Sequence, residues 1–245
     1  MWRARVSLLG LAAVLAIGMA GAQSAAAANP CKPVKGVSRC VFGIQASPGA
    51  EPEPIVAGQT VEAEWWGRGS YFNAGRYSFL CKNVVFNGSV AGFKAGAPLL
   101  STPTALFQGT ESGGACRTVM AAAEVSADAS GWQFRLSVKE PAPGQYVVTD
   151  RLASTGGKPL SFTAVYTEAG IPTVTCTFEA ASVKGTWAWV PDEPVGGTSP
   201  AAPFKLDTEA SNSPQCPAKG TLETSWRFFA SPPAGGLLPI VLAIS

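Results

Sequence analysis

Histidine is absent from this 245-residue chain. Its absence removes the side chain that most often acts as general base near neutral pH, and a principal zinc ligand. Charge is scarce too: 14% of residues are charged, with a formal net charge of +2. No cluster of Lys and Arg exceeds two residues, and no acidic tail exists, so the footprint of a nucleic-acid-binding protein is missing. There is no C-x-x-C pair, no heptad pattern and no long run of alternating charge, which disfavours a metal knuckle, a coiled coil and long surface helices. Beyond the N-terminal segment, no stretch reaches the ~18–20 apolar residues that span a bilayer as a helix.

What remains is apolar and full of turns. Hydrophobic residues make up 47% of the chain, with 27 glycines and 20 prolines, enough for a large core built from many short strands. The start reads as an export signal. Met1–Val6 is a short basic segment, Ser7–Ala22 an apolar one, and Ser24–Ala28 supplies small residues for cleavage after Ala28. Removing Arg3 and Arg5 would bring the formal charge from +2 to 0. A secreted protein in the cell envelope or medium is the expectation.

All six cysteines follow that signal, as suits an oxidising compartment. Six allow 15 connectivities. Spacing favours three local loops: Cys31–Cys40, Cys81–Cys116 and Cys176–Cys216. Two stretches look like one unit used twice. Tyr77–Gly92 and Thr173–Val190 each carry a cysteine (Cys81, Cys176) and then a glycine (Gly88, Gly185). In each case a second cysteine (Cys116, Cys216) and a tryptophan (Trp132, Trp226) follow.

Period-two alternation is clear in Thr60–Trp66, Trp132–Val138 and Ser161–Thr167. Trp132–Val138 and Gln145–Leu152, either side of Pro141–Gly144, read as a hairpin. Gly67–Gly75, Ala91–Leu99 and Pro191–Pro203 read as loops, and Pro48–Pro54 as an extended linker. The predicted fold class is all-β, an antiparallel β-sandwich with three local disulfides and a duplicated unit (77–155 and 173–245). The predicted organisation is a signal peptide over 1–28, an N-terminal extension with the Pro-rich linker over 29–57, and the sandwich over 58–245. Two tandem sandwiches split near Thr155 are the alternative.

Candidate chemistry is thin. Gly109–Gly114 (GTESGG) echoes a serine-protease nucleophile loop with Ser112 in the nucleophile's place, but no histidine exists to take its proton. Glu62 and Glu64 share one strand face, roughly 6.5–7 Å apart by strand rise. A glycosidase needs carboxyls opposed across a sugar bond, ~5–5.5 Å or ~6.5–9.5 Å apart. Asp192 and Glu193 are a paired acidic turn, weak as a calcium site. Trp187 and Trp189, at i and i+2, share a strand face and are the candidate ligand-binding residues, as a stacking platform for sugars; Trp66 shares a face with Glu62 and Glu64. The competing reading of such tryptophans is sandwich core. No catalytic residue, metal or cofactor is expected, and the partner would be cell-envelope polysaccharide or another extracellular ligand. A secreted carboxylate-dependent hydrolase is the alternative function.

The second half carries V-x-C-x-F (Val174, Cys176, Phe178), S-x-x-C-P (Ser213, Cys216, Pro217) and then Gly220, before a short apolar closing strand. In these it resembles a group of secreted, cysteine-containing β proteins of high-GC Gram-positive bacteria, over roughly residues 77–245. No activity is known for that group. The resemblance implies export and a disulfide-bonded β fold, and carries over no functional residue.

Overall fold

The computed structural model describes residues 42–242, apart from 68, 95, 96, 119–121, 143, 144, 189, 191 and 192. The predicted signal peptide, the Cys31–Cys40 pair, Trp189 and Asp192 lie outside the described residues.

The described chain is strands and turns, with a single 3-10 turn at Gly75–Tyr77. The strands of the first half are β1 (Gly43–Ile44), β2 (Glu53–Pro54), β3 (Thr60–Trp65), β4 (Ser70–Asn73), β5 (Phe79–Cys81), β6 (Asn83–Lys94), β7 (Ala97–Gln108), β8 (Cys116–Thr118) and β9 (Ala122–Ala127). Those of the second are β10 (Trp132–Ala142), β11 (Gln145–Ser154), β12 (Leu160–Thr167), β13 (Val174–Ala180), β14 (Val183–Ala188), β15 (Gly196–Leu206), β16 (Lys219–Ala230) and β17 (Leu238–Val241). All pairings are antiparallel and link into one large sheet.

Followed strand by strand, the ladder closes on itself twice. One circuit runs β3, β6, β7, β10, β11, β14, β15, β16 and back to β3. The other runs β4, β5, β8, β9, β12, β13, β15, β16 and back to β4. The strands thus form one continuous antiparallel sheet that closes on itself around each circuit. The long pair β15–β16 belongs to both circuits: its Gly196–Ser199 end serves the first and its Ala202–Lys205 end the second.

Alternation fills each circuit with its own aromatic cluster. The first holds Phe86, Phe134, Trp226 and Phe228, with ring centroids 5.0 Å apart for Phe86–Trp226 and 5.1 Å for Phe134–Phe228. The second holds Phe72, Phe79, Phe162, Phe178 and Phe204, with Phe72–Phe178 at 4.7 Å and Phe72–Phe162 at 5.1 Å. Such edge and tilted contacts add about 0.5–1.5 kcal/mol per pair beyond burial. An apolar cavity of about 30 Å³ lies where the clusters meet, lined by Phe79 and Phe204 from one and Phe86 and Trp226 from the other. At the same junction Ser70 and Thr224 share a buried 2.7 Å hydrogen bond.

Two of the predicted disulfides are present, Cys81–Cys116 and Cys176–Cys216, and all four of these cysteines are part-buried or buried. The predicted hairpin is β10–β11, in register from Trp132↔Ser154 to Lys139↔Val147. Three predicted loops are strands instead. Gly67–Gly75 contains β4, the described part of Ala91–Leu99 is paired between β6 and β7, and Pro191–Pro203 contains most of β15. In the last of these Pro200 falls inside the register irregularity between Ser199 and Ala202, where β15 can do without its amide.

Among the described residues, one buried position carries a carboxyl group. Asp150 of β11 is fully buried, set in register between Leu136 and Gly185. Neither carboxylate oxygen has a hydrogen-bond partner. Room for it is made by Gly185 and Gly197, where an added Cβ would overlap the Asp150 carboxylate. Burial pushes its pKa up to about 7, and the nearby amides of Asp150 itself and Gly185 pull it only part of the way back.

A group whose folded pKa lies above its unfolded value stabilises fully below the unfolded pKa, and that stability is lost as pH rises through the folded one. The native protein is therefore expected to lose on the order of 4 kcal/mol between pH ~4 and above 7, from about three pH units at 1.36 kcal/mol each. Chemical denaturation across that window checks it: Asp150→Asn should flatten the profile, and an unchanged slope would refute the assignment. In a second measurement, Cys176→Ala with Cys216→Ala, which opens a loop of sequence separation 40, should cost about 2–5 kcal/mol in urea.

Candidate functional site

β3 ends at Trp65, and the alternation that points Val61, Ala63 and Trp65 inward leaves Glu62, Glu64 and then Trp66 outward. Trp65 pairs with Trp226 across β16, both indole Nε1 groups being buried without a hydrogen-bond partner. Trp66 escapes this core. Its amide donates to the Ser225 carbonyl at 3.0 Å, tying it to β16, while the side chain stays 52% exposed. The Arg227 guanidinium lies over the face of its ring. Among large hydrophobic residues Trp66 is the most exposed in the described chain.

Two depressions meet at this ring. One, of about 100 Å³, is lined by Trp66, Trp187, Glu193, Gly197 and Arg227. The other is more open, about 760 Å³, and lined by Trp66, Tyr71, Leu80, Pro200 and Glu223. Thr198 and Ser225 line both, and their hydroxyls are 3.0 Å apart across the β15–β16 pair. The result is a continuous groove on the outer face of β15 and β16, with Trp66 standing in its middle. Gly196 and Gly197 line the smaller depression; a Cβ on Gly196 would overlap the Trp226 carbonyl, and one on Gly197 would point inward onto the buried Asp150.

Charge around the ring is mixed. In register, Glu64 faces Arg227 on one side and Val85 on the other. Burial raises the Glu64 pKa, Glu62 and Glu111 raise it further, and Arg227 opposes them. Burial alone raises that of Glu62. For Arg227 the dominant influence is again desolvation, which lowers its pKa, with Glu193 and Glu64 working the other way.

The residues singled out from sequence fall out differently. Trp187 pairs with the buried Val148, so it is on the inward side of β14, half-buried against the core, and reaches the groove as lining. Trp189 is outside the described residues. Glu62 and Glu64 lie side by side on one face of β3 and line neither depression. Ser112 sits in an exposed turn, its hydroxyl 3.0 Å from that of Thr110, in a β-bridge closed between Thr110 and Gly113. Sequence reasoning missed Arg227, Tyr71, Thr198 and Ser225. The signal available was Trp66 itself, at the end of a strand and followed by Gly67 and Gly69.

Comparison with protein-family models, curated proteins and solved structures yields no match to this chain.

Proposed function

We propose that this is a secreted, non-catalytic extracellular protein that binds polysaccharide along the groove beside Trp66. The observation that carries the reading is a tryptophan 52% exposed, braced by Arg227, at the junction of two depressions. An indole held against a guanidinium loses little freedom when a sugar ring stacks on its other face. Thr198, Ser225, Glu223 and Glu193 supply the donors and acceptors that sugar hydroxyls need on either side. Export is supported by the N-terminal pattern, the two disulfides and the resemblance to secreted β proteins.

The purified protein, titrated with a panel of polysaccharides, should change its tryptophan fluorescence with at least one of them. Trp66→Ala should weaken that binding roughly tenfold, about 1.4 kcal/mol, with the unfolding midpoint unchanged. No response to any polysaccharide, or equal affinity in the variant, removes the reading.

The alternative is a carboxylate-dependent hydrolase, favoured by one observation: Glu64 has its pKa raised by burial and by two further carboxylates, as a general acid requires. That reading expects release of reducing ends from a polysaccharide, lost at least ~100-fold in Glu64→Gln. Reducing-end assays giving no release by the wild-type protein dispose of it.

A further inference from the structure

The groove is one end of a longer feature on the same outer face. Arg135 of β10, Arg151 of β11 and Lys184 of β14 stand directly opposite one another in register, forming a row of three cations across three neighbouring strands. All three are exposed, and none has an ion-pair partner among the described residues. The neighbour of Arg135 on its other side is Leu99. From Gln133 to Lys139 on β10, along β11 and along β14, no outward position holds an acidic residue, and Lys139 adds a fourth cation. Like charges set directly opposite on a sheet destabilise it. The fold keeps them on a chain whose formal charge is only +2.

Two residues further along each strand runs a parallel row of hydroxyls: Ser137, Thr149, Thr186, Thr198 and Ser225, paired in register from β10 to β16. At the usual strand spacing it is about 19 Å long. It ends at Thr198 and Ser225, which line the groove beneath Trp66.

We propose that this face binds an anionic, uronate-bearing polysaccharide lying across the strands. Its carboxylates would meet Arg135, Arg151 and Lys184, its hydroxyls the Ser/Thr row, and one sugar ring Trp66. Arginine pairs with carboxylate in bidentate fashion, and the acid-free stretch of β10, β11 and β14 attracts polyanions, while the acids Glu193 and Glu223 stand only at the Trp66 end, where the sugar ring is held by stacking. The hydroxyl row is what selects a sugar polymer over a bare polyphosphate, since only the former offers hydroxyl partners along its length. The inference rests on the Trp66 reading for the sugar, and on the strand register for the charge.

The test uses polygalacturonate and its methyl-esterified form, the same backbone with the charge removed. Wild-type protein should bind polygalacturonate at least roughly tenfold tighter, and lose that advantage as NaCl is raised to ~0.5 M. The variant Arg135→Gln/Arg151→Gln/Lys184→Gln, all exposed positions, should lose the advantage at low salt while keeping the wild-type unfolding midpoint and its affinity for the ester. Equal affinity of wild-type protein for both polymers overturns the inference, as does tighter binding of polyphosphate or duplex DNA. Loss of polygalacturonate binding in the triple variant but not in Trp66→Ala upholds the basic row and sinks the Trp66 groove. Loss in Trp66→Ala alone does the reverse, and no binding of either polymer sinks both.

Discussion

The hairpin β15–β16 is the constraint on which the rest of the structure depends. Each of its strands is long enough to pair with different neighbours at its two ends, β14 and β3 for one circuit, β13 and β4 for the other. An open sheet of this size would expose rows of unpaired amides and carbonyls at its edges. Passing both circuits through one shared pair closes each of them with a single hairpin. The sequence of that hairpin shows the cost in unusual residues. Gly196, Gly197 and Gly220 sit where a Cβ would meet the Trp226 backbone, the Asp150 carboxylate and the Phe72 ring respectively. Pro200 occupies the one irregular step in its register.

Inside and outside are linked at Gly197. Its bare backbone admits the Asp150 carboxylate into the first circuit, and on the other side forms part of the wall of the shallow depression beside Trp66. A buried carboxylate without a partner is among the most expensive groups a core can hold while ionised. Here the expense is reduced by holding the proton up to about neutral pH. Gly197 thus borders both an interior that carries an acid and an exterior that carries a groove, so the two cannot vary independently there.

The outer face follows from alternation more than from any local motif. Once Phe134, Leu136, Val148 and Leu152 turn inward, the residues between them must face out. Those residues are Arg135, Ser137, Thr149 and Arg151, and the register of β14 adds Lys184 and Thr186 in line with them. A stripe with chemical character is thereby assembled at right angles to the chain direction, from segments far apart in sequence.

Much of the framework was legible in the residues. Period-two alternation gave β3, β10 and β12, the turn at Pro141–Gly144 gave the β10–β11 hairpin, and spacing gave Cys81–Cys116 and Cys176–Cys216, because all of these are local or nearly so. β4, flanked by Gly67, Gly69 and Gly75, and β15, which contains Gly196, Gly197, Pro200 and Pro203, read as loops, since only the partner strands reveal which amides a proline may do without and which Cβ has no room. Trp66 could be placed on an outward face from sequence, but not beside Arg227, which is more than a hundred and fifty residues away in the chain. The basic row was invisible for the same reason: no two of Arg135, Arg151 and Lys184 are neighbours in sequence, and a scan for charged runs passes over them. Sequence determined which side of each strand a residue takes, because that depends on the pleat alone. Only the tertiary structure decided which of those residues stand together, because register between distant strands is set by packing of the whole core.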